Sequence, residues 1–360
     1  MAFKSFTLTL APLYWSAAII WTLASSPTAQ AQDHSGTTIR LGGILTQLFF
    51  LADDAEAPTE KINPAGQFHY TRVFADARTT LNESVYVRAY TRLVVNNWSS
   101  VNAEQSYVEI GGSYGQMQVG VRNPFNELVI RYPAPQAFLA VGDEIFSSMV
   151  KSRTSIPQRD GLTFKRHVGK DIGVSYQTPR IGGLQVRVGY RPSLSQTEGA
   201  FDKSKQPSNA VDITASQQME LLGGTLHLVG GYFRVTAPQS DPRVTEAWNT
   251  AVNWRNEGWE IGGAFHDARL NNGVREAAWA IGILHRTGPW AFSTDFRSSN
   301  SRASKGAPVN EYADRIMMQT QYRLGPGISI GLAGFYSLQR DISKVKWRSK
   351  GGTVGIKLIM

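Results

Sequence analysis

Apolar and polar side chains alternate along most of this chain. In the last ten residues, one face of an extended strand would carry Val354, Ile356, Leu358 and Met360, while the other would carry small or polar residues. Successive side chains of a strand point to opposite faces of a sheet, so this pattern predicts a strand with one apolar surface. The pattern recurs nearly to the N-terminus, which predicts a chain built from many two-faced strands.

Short turns and longer connections alternate between these strands. Turn sequences are predicted at 81–84, 112–115, 179–183, 222–224, 255–258, 287–289 and 324–327. They give about sixteen strands joined by seven short turns and eight longer loops. This asymmetry is typical of a transmembrane antiparallel β-barrel, which is the all-β fold class that we predict. A soluble protein with several sheets would also alternate, but it need not sort its loop lengths so regularly.

The composition alone does not separate these two folds. With 42% hydrophobic residues, 18% charged residues and a mean hydropathy of -0.24, no stretch after the N-terminus is apolar enough for a transmembrane helix. A barrel mixes lipid-facing residues with polar residues that face its interior, so it has the same average hydropathy as a soluble protein. The absence of cysteine argues against disulfides and thiolate metal sites.

The first 31 residues have the features of a secretory signal peptide. Lys4 supplies a positive charge, Leu8 to Ala24 form an apolar segment, and Ala29-Gln30-Ala31 is a small-x-small cleavage site. We expect residues 1–31 to be removed and residues 32–360 to form the barrel. An uncleaved anchor helix is the alternative, although the apolar segment is at the short end for spanning a bilayer.

Several other functions find little support. The formal charge of +9 comes from lysines and arginines that are scattered singly, so nucleic acid is not an expected partner. The six histidines show no metal-ligand spacing, and no glycine pair opens a phosphate-binding helix. We therefore expect no enzymatic activity, no metal and no cofactor. A hydrolase site on the outside of a barrel remains an open alternative.

The segment from Ser106 to Arg122 resembles a motif of the general porins of Gram-negative bacteria. It reads SYVEIGGSYGQMQVGVR. The porin motif is Tyr-Val-x-Leu-x-Gly-x-Phe-Gly-x-Leu-x-x-Gly-Arg, and it precedes the third loop of the barrel. Together with the leader, the strand rhythm and the terminal strand, the resemblance covers essentially the whole mature chain. It implies a homotrimer, with contacts around the first strands, the last strand and the second loop near Trp98.

The longest connection without clear alternation runs from Asn123 to about Asp160. A loop of this length is uncommon in a compact domain unless it has a function. The resemblance implies that this third loop folds into the barrel and narrows the pore at about 123–160. Its carboxylates Asp143 and Glu144 would then face the channel. The alternative is that they are solvated in an outer loop.

Arginines are prominent on one face of the early strands. In the predicted alternation Arg88 and Arg92 share a face with Tyr86, whereas the opposite face carries Val85 and Val87. A charge on the lipid face costs about 2 to 4 kcal/mol at the bilayer midplane, so we expect the arginines to face water or a partner. The candidate pore-constriction residues are Arg72, Arg88, Arg92, Arg122, Asp143 and Glu144. Alternatively, individual arginines pair with carboxylates inside the barrel and only brace its wall.

The sequence thus predicts a passive aqueous channel of the outer membrane for small hydrophilic solutes and ions, in contact with lipid and lipopolysaccharide. Mild anion selectivity is expected, because further cations are predicted inside the barrel at Arg187, Arg191, Arg297, Arg315 and Lys357. Two alternatives remain open. One is a channel specific for anions or sugars, suggested by the aromatic residues Phe74, Tyr86 and Tyr90. The other is a plugged structural or adhesive barrel.

Overall fold

The computed structural model describes residues 36–54, 65–82, 84–96, 100–122, 136–138, 172–193, 208–236, 244–271, 273–302, 310–341 and 343–360. These residues form sixteen strands: β1 (Thr37–Asp54), β2 (Ala65–Asn82), β3 (Val85–Asn96), β4 (Ser100–Gly112), β5 (Gly115–Val121), β6 (Ile172–Gln177), β7 (Leu184–Ser193), β8 (Ser208–Leu221), β9 (Gly224–Thr236), β10 (Val244–Asn256), β11 (Trp259–Leu270), β12 (Arg275–Thr287), β13 (Trp290–Arg302), β14 (Asn310–Gly325), β15 (Ile328–Arg340) and β16 (Lys346–Ile359). Within these ranges, no helix is long and apolar enough to cross a membrane.

The strands form one closed antiparallel barrel, which confirms the predicted fold class. Each strand pairs with the next along the chain, and β1 pairs with β16 to close the ring. At the seam, the Gly43 N–H donates to the Met360 carbonyl at 3.1 Å and the Met360 N–H donates to the Gly43 carbonyl at 2.9 Å. Closure pairs every strand on both sides, so no sheet edge is left to meet lipid.

Seven short turns lie at one end of the barrel and eight loop connections at the other, as predicted. Three of the turns have consecutive residues at positive φ: Gly182 (56°) with Gly183 (85°), Leu222 (51°) with Gly223 (69°), and Glu257 (43°) with Gly258 (87°). This backbone matches the right-handed twist of the flanking strands, which is why such turns join hairpins tightly. By the usual arrangement of such barrels, the turn end is the periplasmic end.

One predicted connection is shorter than expected. The polar segment from Asn96 to Ala103 lacks alternation and predicts a longer loop here, but β4 already begins at Ser100, so only residues 97–99 lie between β3 and β4. The polar residues at the start of β4 continue the backbone ladder, with Asn102 opposite Val94. Backbone pairing does not require alternating side chains, and the sequence pattern therefore missed the start of this strand.

The burial pattern is the reverse of that in a soluble sheet protein. On the outer face large apolar side chains are exposed, such as Trp248 at 56% and Leu332 at 55%. On the inner face polar side chains are buried, such as Asn253 at 0% and Glu260 at 5%. An apolar surface of this extent is stable only against lipid. The predicted signal peptide, residues 1–31, lies outside the described residues.

Candidate functional site

Four of the predicted constriction residues lie on the same inner wall of the barrel. Arg72 is on β2, Arg88 and Arg92 are on β3, and Arg122 directly follows β5. We call these four residues the arginine wall. Strand alternation directs them inward, while their neighbours Val73 and Val119 are exposed on the outer face. The predicted carboxylates Asp143 and Glu144 lie outside the described residues.

Arg72 and Arg92 share a single carboxylate. The Nε atom of Arg72 lies 3.0 Å from Oε2 of Glu104, and the Nε atom of Arg92 lies 2.6 Å from the same oxygen. Glu104 is only 2% exposed. Two guanidinium groups therefore meet one carboxylate, and the group keeps a net positive charge.

Glu104 was missed by the sequence analysis because it lies at a β-bulge. Arg92 pairs with Gln105 and Leu93 pairs with Ala103, so Glu104 is the extra residue of β4. A bulge changes the direction of a side chain and breaks the period-two pattern. A reading of strict alternation places Glu104 on the outer face, because it is an even-numbered residue in a strand whose odd-numbered Tyr107 and Glu109 face inward.

Arg88 is held by a different pair of carboxylates. It donates to Asp76 through Nε at 2.7 Å and through Nη2 at 2.8 Å, and its Nη1 lies 4.0 Å from Glu109. Glu109 also accepts hydrogen bonds from the Tyr86 hydroxyl at 2.8 Å and from the Gln118 amide. A guanidinium held at two points has a fixed orientation, so Arg88 is a rigid part of the wall.

Aromatic side chains are interleaved with the arginines. The Arg122 guanidinium lies 5.4 Å from the ring centroid of Tyr107, which lies 5.3 Å from the ring of Tyr90. Tyr90 in turn stacks on Phe74 at 6.1 Å. These contacts place a row of aromatic rings beside the fixed charges. Phe74, Tyr86 and Tyr90, which the sequence suggested as possible solute contacts, all lie beside the arginine wall on the inner face.

Part of the third loop lies inside the barrel, as predicted. The Ala137 N–H donates to Ser293 Oγ on β13 at 2.8 Å, and the Phe138 N–H donates to Gln319 Oε1 on β14 at 3.1 Å. Lys357 on β16 donates from Nζ to the Phe138 carbonyl at 2.8 Å. Three inward side chains thus bind the backbone of residues 137–138. We call residues 137–138 together with Ser293, Gln319 and Lys357 the loop anchor.

The ring of Phe138 completes the loop anchor. It is 1% exposed and belongs to an apolar cluster inside the barrel that also contains Leu48, Met317 and Phe335. The ring lies directly over Gly331, where any added Cβ would overlap it. Glycine at 331 is therefore what gives Phe138 its space on β15.

The other predicted inner cations are mostly engaged in local contacts. Arg191 lies 2.6 Å from Asp212, and Arg297 lies 2.9 Å from Asp295. Arg187 donates to Gln177 at 2.7 Å, and Lys357 belongs to the loop anchor. The alternative that individual arginines brace the wall thus describes Arg191 and Arg297 as well as Arg88. Among the described residues, no group of three His, Asp or Glu side chains is placed to hold a metal ion.

A closed barrel with an apolar outer face, a charged inner face and an inserted loop defines the class of outer-membrane channel proteins. A family model described as Gram-negative porin matches residues 16–341. The chain belongs to the Gram-negative porin family and is a protein of the outer membrane.

Solved structures of outer-membrane proteins share this fold. The trimer form of OmpT from Vibrio cholerae has a TM-score of 0.65 at 13% identity, covering 91% of this chain and 100% of that chain. OmpF from Salmonella typhi has a TM-score of 0.65 at 12% identity, covering 90% and 98%. An anion-selective porin from Comamonas acidovorans has a TM-score of 0.61 at 12% identity, covering 90% and 100%. No curated protein matches the chain at a significant level.

Proposed function

We propose that this porin is a passive aqueous channel for small hydrophilic solutes and ions, with a mild preference for anions, and that it makes and breaks no bond. The observation that carries this proposal is the inner wall, where pairs of arginines share single carboxylates. Arg72 and Arg92 share Glu104, and Arg255 and Arg286 share Glu260 at 3.0 Å and 3.1 Å. Each group has one excess positive charge.

Fixed positive charge in a narrow aqueous channel raises the local concentration of anions. The preference is mild because most of the charge is neutralised within the wall. Arg88, Arg191 and Arg297 each lie against a carboxylate, so they contribute little to the net field. A channel with this wall would attract chloride and small anions without excluding potassium.

We also propose that the third loop, at about 123–160, forms the constriction. The loop anchor supports this proposal, because its hydrogen bonds hold residues 137–138 against β13, β14 and β16 inside the barrel. Asp143 and Glu144 would then face the arginine wall across the channel. Opposed charges of this kind create a transverse field, which favours polar solutes over apolar ones.

The test is the reversal potential of the folded protein in a planar bilayer under a KCl gradient. The wild type should favour chloride. The double variant Arg92→Gln and Arg286→Gln removes the excess cation from each shared pair, so its reversal potential should shift toward potassium. Lys350→Gln is the matched control, because Lys350 is exposed and pairs with Asp53 at 3.6 Å. A folded barrel with no conductance would contradict the channel and favour the plugged barrel.

We propose that the protein assembles as a homotrimer through the outer face of its first strands. On that face the half-buried side chains of Gln47 and Thr71 contact the His69 ring, which is itself only 2% exposed, at 3.1 Å and 2.7 Å. Thr91 and Ser106 are hydrogen-bonded at 3.1 Å on the same face. Polar groups are costly against lipid, which favours a protein neighbour here. The predicted contact near Trp98 lies outside the described residues.

The trimer can be tested by native mass spectrometry of the detergent-solubilised barrel. Ala77 lines a groove on this outer face together with Ala75 and Ala89. Ala77→Trp should prevent the close approach of two barrels and give monomers. Thr250→Trp, on the exposed outer face of β10, should leave the trimer intact. A monomeric wild type would contradict the proposal.

A channel specific for anions or sugars is the second candidate. The row of rings formed by Phe74, Tyr90 and Tyr107 favours it, because stacked rings beside arginines can bind planar or sugar-like solutes. Solute-induced block of the chloride current would distinguish a specific channel from a general one.

A further inference from the structure

A cavity of about 310 Å³ opens from the inner wall near the periplasmic turns. It lies between the start of β1 and the turns that join β2 to β3 and β4 to β5. Its lining is formed by Thr38, Arg40, Asp76, Arg78, Tyr86, Arg88, Glu109 and Gln116. Three guanidinium groups and two carboxylates thus surround one small space.

Both carboxylates of this cavity are already engaged by the wall. Asp76 accepts two hydrogen bonds from Arg88, at 2.7 Å and 2.8 Å. Glu109 accepts from the Tyr86 hydroxyl at 2.8 Å and from the Gln118 amide. These contacts fix Arg88 and Tyr86. Three guanidinium groups against two carboxylates leave the cavity lining with one net positive charge.

Arg40 and Arg78 remain as cations that face the cavity. Within the part of the chain that the structure describes, neither has a carboxylate within ion-pair distance, and both side chains are exposed to the barrel interior. The Arg78 guanidinium lies 3.8 Å from the ring centroid of Tyr86. Stacking covers one face of a guanidinium but leaves the N–H groups in its plane available, and these match the two oxygens of a carboxylate or phosphate.

We propose that this cavity is a binding subsite for small oxyanions that carry more than one negative charge, bound through Arg40 and Arg78. Its volume corresponds to about ten water molecules at roughly 30 Å³ each, which suits a phosphate or a short dicarboxylate. Thr38 and Gln116 offer further hydrogen-bonding groups at the cavity surface. Chloride is a spherical ion without separate oxygen atoms, so two planar guanidinium groups bind it less strongly than they bind an oxyanion. The subsite rests on the proposed channel only in that the pore would supply the anion.

The inference can be tested by binding to the folded barrel in detergent, independently of conduction. The ³¹P line width of inorganic phosphate, titrated with protein, should report binding, and added succinate should narrow the line by competition. In the double variant Arg40→Gln and Arg78→Gln, the half-saturating phosphate concentration should rise about tenfold or more, because two charge-assisted contacts are lost. Arg180→Gln is the matched control, since exposed Arg180 lies at another periplasmic turn and donates to Gln218 at 2.8 Å.

The outcomes separate this inference from the channel proposal. Equal phosphate binding by the wild type and the double variant, both verified as folded by heat-modifiable mobility, would overturn the subsite even if the barrel conducts ions. Phosphate binding by a barrel that conducts nothing would support the subsite and contradict the channel. If the subsite is as proposed, a dicarboxylate binds the same two guanidinium groups as phosphate. Phosphate binding that succinate does not reduce would therefore overturn the proposed oxyanion subsite.

Discussion

Replacing Phe138 with alanine should weaken the binding of residues 137–138 to the barrel wall. The ring is 1% exposed and packs in the apolar cluster over Gly331. Full burial of a phenylalanine side chain contributes about 2 kcal/mol, which corresponds to roughly a 30-fold change in an equilibrium constant. The hydrogen bonds to Ser293, Gln319 and Lys357 remain in the variant, so we expect the docked state to be weakened rather than lost.

The same effect should follow from a change on the wall alone. In Gly331→Ala the new Cβ would overlap the Phe138 ring, so the ring must move from its place on β15. Gly334→Ala is the matched control on the same strand, because its Cβ would meet only the Gly351 carbonyl, at 3.9 Å. Phe138→Ala and Gly331→Ala should therefore behave alike, and Gly334→Ala should behave as the wild type.

The assay is single-channel recording in a planar bilayer at fixed voltage. A loop that detaches transiently should add rapid current fluctuations between two conductance levels, with the second level about 30-fold more populated than in the wild type. Heat-modifiable mobility should be unchanged, because the strand ladder that closes the barrel is not altered. Steady wild-type currents from both Phe138→Ala and Gly331→Ala would contradict the role of the loop anchor.

Three further changes have defined outcomes. Glu104→Gln leaves Arg72 and Arg92 close together without their carboxylate, so it should lower the unfolding free energy in urea by about 3 kcal/mol and shift the reversal potential further toward chloride. Lys357→Met removes the donor to the Phe138 carbonyl and should increase current fluctuations without changing the free energy of unfolding in urea by more than about 1 kcal/mol. Ile281→Arg places a charge on the lipid face, where Ile281 is 54% exposed, and should lower the free energy of unfolding in lipid vesicles by about 2 to 4 kcal/mol.

Alternation in the sequence was sufficient to predict the barrel, because the period of two is a local property of each strand. It correctly placed Val354 and Ile356 on the outer face and Arg72 and Arg88 on the inner one. The regular alternation of short turns and longer loops then predicted the closed barrel. These features depend only on neighbouring residues and on turn lengths.

The partners of the inner charges could not be predicted in the same way. Glu104 meets Arg72 only because a bulge in β4 turns it inward, and a bulge leaves no regular trace in the pattern. Lys357 was interpreted as a cation available to anions, yet its ammonium group binds the carbonyl of Phe138, 219 residues earlier in the chain. A contact between such distant residues is set by the closed barrel and not by local sequence.

The loop anchor also constrains the order in which the protein folds. Its hydrogen bonds join residues that are 156, 181 and 219 positions apart, and the strands that supply them lie in the last third of the chain. Contacts of such long range form late, because the entropy of closing long loops must be overcome before they stabilise the chain. The third loop cannot dock until β13, β14 and β16 are in place. We therefore expect residues 137–138 to reach their final position only after this part of the barrel wall has assembled.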